Sequence, residues 1–404
     1  MRRHLLFVTP PAPGHVHPTL ALVERLVARG HRVSYVTSPA LRPAVTAAGA
    51  SAVDLNWEPE TGALAGAEFS VETLVATMWG YLNAVASAMP TLLSRFERGA
   101  VDVVCSDAVV LGPLLAGVLG VPMVSLLPNF ATNEHVRLAE IVPGFDPAHP
   151  ALREYGGRLA ALFAEYGLPA PADPTGGQGT GLTLVFLPRE FQIAGDSFDD
   201  TYRFIGPSIP RYARASDWVP PRDGEPVVLV SLGTAFTNRP QFFATCVEAF
   251  RDPDWHVVMA VGEHVDPGTL GPLPASMEIA SRVPQLAVLR HATVFVSHAG
   301  MGSTMESLYH QVPLVAVPQA REQVVNARRV VELGLGRCLD AAALTAEQLR
   351  EAVDQVAADP AIRDNLATMK KALDAAGGAN AGAEALERYL ARSHEDSATG
   401  QRLS

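Results

Sequence analysis

Lysine is almost missing from this chain: Lys370 and Lys371 are the only two in 404 residues. No GxxxxGKS/T segment can be assembled without it, which excludes a P-loop phosphate site. Cysteine is scarce as well. Cys105, Cys246 and Cys338 stand far apart, each in an apolar run. Buried free thiols are therefore expected, not a disulfide or a metal site. The histidines are scattered without carboxylate spacing, so no metal ligand set is expected. Positive charge is short overall. Lys+Arg number 31 against 42 Asp+Glu, a formal net charge of −11, which argues against nucleic acid as a partner. An anionic ligand must then be held by local groups. No apolar run reaches the length of a membrane span, so no stable membrane insertion is expected. The opening MRRHLLFVTPPAPGH carries a short apolar run broken by Pro10, Pro11 and Pro13. It reads as a first strand rather than a signal peptide. A cytoplasmic location fits these observations.

What is present is globular: 48% hydrophobic and 18% charged residues, in a chain long enough for two domains. Short apolar runs alternate with helix-period segments. Leu5–Thr9, Val33–Thr37, Val101–Ser106, Pro122–Leu127 and Leu182–Leu187 read as strands of a first half. Pro18 suits the first turn of a helix that closes at Gly30. Residues 57–98 and 129–181 are looser. They hold aromatic and apolar residues of the kind that line a pocket, although packing alone accounts for them equally well. A proline-punctuated linker follows. The pattern then restarts with strands at Val227–Ser231, His256–Val261, Thr293–Ser297, Leu314–Val317 and Arg337–Leu339. Strand–helix–strand alternation argues an α/β fold with parallel, doubly wound sheets. Two such halves would face each other across a cleft, with ligands at the C-terminal ends of the strands.

The stretch TVFVSHAGMGSTMESLYHQVPLVAVPQAREQ, residues 293–323, organises the second half. A strand enters a glycine-bearing turn, a helix follows from Ser303, and another strand ends at Pro318. A turn of this kind lets helix N-terminal amides face an anion. Gly300 and Gly302 remove side chains where a phosphate would approach. Ser303 and Thr304 can cap the helix or bond phosphate oxygen. His298 can donate to it, and Glu306 can accept from ribose hydroxyls. The same spacing also suits an ordinary βα turn with capping residues.

Other residues gather at strand ends. His15 follows the first strand, just before the Pro18 helix, where a helix N-terminus favours neutral imidazole and hence a general base. A structural loop histidine fits too. Asp107 follows the strand VDVVCSD. It can orient that imidazole or simply cap a helix. In SLGTAF, Ser231 and Thr234 lie near the phosphate site. Arg282 can stack on a base, beside Val283, and Gln285 can bond ribose or base. Glu322 and Gln323 suit hexose hydroxyls.

The combination of GHVHP, SLGT, RVPQLAVL, SHAGMGSTMESL, PLVAVPQ and EQ resembles the family-one glycosyltransferases, in particular the bacterial macrolide-glycosylating type. The likeness runs from Leu5 to about Leu390. It implies the GT-B architecture: two facing Rossmann-like domains with an interdomain cleft. Residues 1–205 would bind acceptor, 206–226 link, and 227–380 bind nucleotide sugar. Residues 381–392 would form a helix returning to the first domain, and 393–404 a disordered tail. By motif position the family's base falls on His15 and its orienting acid on Asp107. Its nucleobase contact falls on Arg282, its diphosphate contacts on His298, Gly302 and Ser303, its ribose contact on Glu306, and its sugar contacts on Glu322 and Gln323. The family often has Asp before that glutamine, and Glu322 is a longer acid.

The expected activity is inverting O-glycosyl transfer of a hexose, glucose by resemblance, from a UDP-sugar to a bulky apolar hydroxylated molecule such as a macrolide. Such chemistry serves antibiotic biosynthesis and antibiotic resistance alike. The UDP-sugar is a co-substrate. No tightly bound cofactor and no divalent metal are required, and a monomer or weak homodimer is expected. Trp57, Met78, Trp79, Phe130 and Ile141 are the candidate acceptor pocket. A dTDP-deoxysugar donor, a sugar-nucleotide epimerase or hydrolase, and a non-catalytic nucleotide-sugar module remain as alternatives. A nicotinamide oxidoreductase is disfavoured because PPAPGH lacks GxGxxG.

Overall fold

The computed structural model describes residues 2–55, 71–137, 149–171, 181–209, 218–222, 224–234 and 237–400. The chain divides into two units, one of Met1–Pro210 with Ala376–Ser404 and one of Arg211–Ala375.

In the first unit the described strands are β1 (His4–Val8), β2 (Arg32–Thr37), β3 (Ser51–Asp54), β4 (Val103–Ser106), β5 (Met123–Leu127), β6 (Thr183–Val185) and β7 (Tyr202–Phe204). They form one parallel sheet in the order β3-β2-β1-β4-β5-β6-β7. Helices α1 (Pro13–Ala28), α2 (Arg42–Ala47), α3 (Val71–Arg95), α4 (Leu111–Leu119) and α5 (Pro150–Glu165) cover it. Side chains alternate along a strand, so β1 feeds two cores. Leu5 and Phe7 pack with Leu20, Leu22 and Leu26 of α1. Leu6 and Val8 pack with Leu82 and Met89 of α3, Leu114 of α4 and Leu159 of α5. Burial on both faces explains the unbroken apolar runs that mark the strands.

The second unit has β8 (Val227–Ser231), β9 (His256–Ala260), β10 (Met277–Ala280), β11 (Ala292–Ser297), β12 (Leu314–Ala316) and β13 (Gly336–Cys338). These also pair in parallel, in the order β10-β9-β8-β11-β12-β13. The helices here are α6 (Pro240–Ala249), α7 (Gln285–Leu289), α8 (Met301–Tyr309), α9 (Arg321–Glu332), α10 (Ala346–Ala358) and α11 (Pro360–Ala376). The last helix, α12 (Gly378–Gly400), belongs to the first unit. Its Ala383, Leu386 and Leu390 join the α1 core, and Glu387 takes a two-pronged bond from Arg29 at 2.9 and 2.6 Å.

Several elements differ from the sequence expectation. β3, β7 and β10 are edge strands, each only three or four residues long and interrupted or bounded by polar residues, so no apolar run announces them. Helix α1 begins at Pro13, one turn earlier than expected, and Pro18 lies inside it. The alanine-rich stretch before Arg98 is largely one long helix, α3. Helix α12 runs on to Gly400 rather than ending at Arg392, because neither proline nor glycine interrupts SHEDSAT. Cys338 is exposed, on the edge strand β13.

In each sheet the strand order turns back beside the first strand of its unit, between β1 and β4 and between β8 and β11. Such switch points are where α/β sheets bind ligands.

Candidate active site

At the first switch point, β4 ends on Ser106. Its Oγ donates to the Val8 carbonyl at 2.6 Å and accepts from the Ala108 N–H at 3.0 Å. This ties the ends of β1 and β4 together and turns the chain at residue 107. A Cβ on Gly112 would stand 2.5 Å from that Oγ, so α4 can approach only with glycine there. Asp107 then meets His15, which sits in the first turn of α1, with Oδ2 and Nδ1 2.6 Å apart. The Asp107 side chain is 3% exposed and the imidazole 37%. Burial pushes the Asp107 carboxyl above its ordinary pKa, while the charge of His15 pulls it back. With the proton at Nδ1 facing the carboxylate, the basic lone pair of His15 lies at Nε2.

The second switch point repeats the device. Ser231 ends β8 and accepts from the Gly233 N–H at 3.2 Å; Ser297 ends β11 and accepts from the Ala299 N–H at 3.2 Å. His298 follows, buried between two glycines. A Cβ on Gly233 would lie 2.6 Å from its Cε1, and one on Gly300 2.2 Å from its Nε2. Burial pulls the His298 pKa down to about 4, so the ring is neutral near pH 7. The Ser231 backbone opposes that shift, yet no bond to the buried Nδ1 reaches hydrogen-bonding geometry.

Gly300, not Ser303 or Thr304, stands at the N-cap of α8, and no side chain caps this helix. A Cβ on Gly302 would meet nothing within 4 Å. The helix therefore presents uncapped first-turn amides beside open space, which is the arrangement that holds anions. Thr304 is one turn too deep to take part. It is fully buried, its amide bonds the Gly300 carbonyl, and its hydroxyl is enclosed without a partner.

Gln285 opens α7 and donates to Glu306 Oε2 at 2.6 Å and to Ser303 Oγ at 3.3 Å. Glu306 is partly open to solvent but surrounded by protein mass. That surrounding pushes its pKa up to about 7, against the bond from Gln285. Arg282 is exposed and paired with Glu263 at 2.8 Å; Val283 is half-buried and Thr234 exposed. Glu322 is exposed on the first turn of α9. Gln323 is buried, and its Oε1 accepts from the Gln319 and Ala320 amides at 2.8 and 3.1 Å. It therefore holds the turn before α9, a structural task the motif did not announce.

Of the aromatic candidates, Met78 and Trp79 are half-buried on α3, with Trp79 edge-on to Tyr155. Phe130 is buried and stacked on Phe191 at 5.8 Å, which occupies one of its faces. Trp57 and Ile141 lie outside the described residues. Among the described residues no group of three or more His, Cys, Asp or Glu is placed to hold a metal ion. None of their helices is long and apolar enough to cross a membrane.

Residues 245–380 match the family model of the erythromycin biosynthesis protein CIII-like C-terminal domain. The chain is 37% identical to the NDP-glycosyltransferase YjiC of Bacillus subtilis over 96% of its own length and 98% of the relative's. It is 36% identical to the oleandomycin glycosyltransferase of Streptomyces antibioticus, covering 97% and 92%. Its structure resembles that of the calicheamicin glycosyltransferase CalG4 with a TM-score of 0.85 at 35% identity, covering 97% and 99%. Likeness of this extent, spanning both units and both switch points, places the chain in the family-one glycosyltransferases of GT-B architecture.

Proposed function

We propose that this glycosyltransferase moves glucose from UDP-glucose to a hydroxyl of a macrolide or similarly bulky apolar natural product, with inversion at the anomeric carbon. The observation that carries the catalytic part is the 2.6 Å contact between His15 Nδ1 and Asp107 Oδ2. It sets the tautomer that leaves Nε2 as the base. The acceptor O–H gives its proton to Nε2 as its oxygen bonds to the anomeric carbon. The bond from that carbon to the diphosphate oxygen breaks, and UDP leaves with the electron pair. The buried Asp107 carboxylate offsets the imidazolium charge. The growing negative charge on the diphosphate is met by the uncapped amides of α8 and by His298, without a step that needs a metal. Glu306, oriented by Gln285, accepts from the ribose. Arg282 faces the base and Glu322 the hexose hydroxyls, while Gln323 holds the turn from which the Glu322 helix starts. The names of the relatives support nucleotide-diphosphate sugars and macrolides as the substrate classes.

The test has two stages. Thermal unfolding with UDP, dTDP, UDP-glucose and NAD, each titrated separately, shows which ligand binds the folded chain. A shift with UDP and UDP-glucose is expected; preference for dTDP moves the donor to a deoxysugar. Acceptor screening by mass spectrometry then yields a product whose anomeric proton coupling should report a β-linkage. An α-linked glucoside would overturn the single displacement.

A further inference from the structure

Ala299 is one of three described non-glycine residues with positive φ, at +59°, and it is fully buried. A Cβ disfavours that conformation, so something must hold it. Two hydrogen bonds do. The Ala299 N–H donates to Ser297 Oγ, and the Ala299 carbonyl accepts from Asn326 Nδ2 at 2.9 Å. The second bond comes from α9, beyond the next strand. Asn326 is 5% exposed and lies one turn after Glu322 on the same helix.

The geometry points to Asn326 as a positioning residue for the donor site, an inference that rests on reading the 298–303 turn as the diphosphate site. A trans peptide carries its C=O and N–H in opposite directions. Pinning the Ala299 oxygen toward α9 therefore aims the Gly300 N–H the other way, and sets where Gly300 and the α8 amides begin. It also keeps Gly300 against the His298 ring. The same bond ties the helix bearing Glu322 to the phosphate turn, so the hexose and diphosphate contacts move as one piece. Asn326 itself touches no substrate in this scheme.

The experiment uses the full chain and its Asn326→Asp, Asn326→Ala and Asn326→Ala/Ala299→Gly variants. UDP and dTDP binding is followed by calorimetry, and donor and acceptor KM by steady-state rates. Asn326→Asp keeps the shape but loses the donor N–H. Both single variants should weaken nucleoside diphosphate binding about tenfold. Donor KM should rise by the same factor while acceptor KM stays put. Glycine adopts the left-handed conformation without a Cβ penalty, so the double variant should regain most of the lost affinity. A merely structural asparagine would not give that rescue or that split between substrates. Single variants within twofold of wild type, or a double variant no better than Asn326→Ala, would overturn the role of Asn326. If the wild-type chain binds neither diphosphate, the reading of the turn as the donor site falls, and this inference with it.

Discussion

Replacing Gly300 with alanine tests the proposed phosphate turn through one atom. The backbone at Gly300 has φ −62° and ψ 140°, which any residue adopts, so the substitution carries no conformational penalty of its own. Its whole effect passes through His298. The new Cβ would stand 2.2 Å from Nε2, where ordinary contact begins near 3.4 Å. The ring must yield by about 1.2 Å. Retreat is limited, since the ring already fills the Cβ position of Gly233 and the residue as a whole is only 9% exposed. Forcing such a fit costs about 1–3 kcal/mol of fold stability. At roughly 2–4 °C per kcal/mol for a domain of this size, Tm falls by several degrees. Losing the proposed bond from the imidazole to a charged diphosphate would remove a further ~1.5–3 kcal/mol of binding, or about 10- to 150-fold in Kd. Calorimetric titration with UDP and a thermal scan read both numbers. Gly302→Ala is the contrast. Its Cβ meets no protein atom within 4 Å, so Tm should hold while UDP binding drops if the proposed diphosphate occupies that space. Wild-type UDP affinity in Gly300→Ala would refute the argument. So would a Gly302→Ala protein destabilised as much as Gly300→Ala.

Two other outcomes follow from the charged groups. Asp107→Asn should lower kcat by about 10²–10⁴ with UDP affinity unchanged. Burial raises the Asp107 pKa, so its ionised form costs stability above the unfolded carboxyl pKa. The variant's Tm at pH 8 should therefore equal or exceed that of wild type, and a kcat within tenfold of wild type would remove the dyad from the mechanism. Glu387 lies the other way. The bond from Arg29, and with it that from His31, pulls its pKa from 4.5 to about 2 against some burial. Its stabilisation is fully present above pH 4.5 and lost as pH falls from there toward 2. The shift corresponds to ~3 kcal/mol at most, and to about 1 kcal/mol once solvent screening of a side chain 31% exposed is allowed for. A Tm gap between wild type and Glu387→Gln should exist at pH 7 and close by pH 2; a constant gap would refute the assignment.

The central strands were legible because both faces are buried and their residues are apolar throughout. The two switch points were legible because glycine, histidine and acid collect where strands end. Of the edge strands β13 was legible, whereas β3, β7 and β10 were not, since an edge needs few apolar residues. Three features of the site were hidden for separate reasons. Ala299 looks innocuous, and nothing in its identity shows that its φ is positive. Asn326 sits in VVNARRVV, where a polar residue reads as part of a solvated helix face; only the fold shows it turned inward onto a carbonyl. Ser106 and Ser297 read as the polar ends of apolar runs and Ser231 as a phosphate contact, while the hydroxyls of all three accept from a backbone amide two residues on and bend the chain into the site. Thr304 and Gln323 show the converse. Their side chains fit a ligand-binding motif, and the packing gives one to the core and the other to a turn.

The return of α12 to the first unit has a consequence for synthesis. The core around Leu5, Phe7 and Leu22 is closed by Leu386 and Leu390, which leave the ribosome only after the whole of residues 211–375 has been made. At ~5–20 residues per second that is a wait on the order of ten seconds. During it the α1 face of the first sheet stands open, its apolar side chains without their last cover. The second unit, continuous in sequence, meets no such delay. The half of the protein that is translated first is therefore the half that finishes folding last, and that exposed face is what a chaperone would meet on the nascent chain.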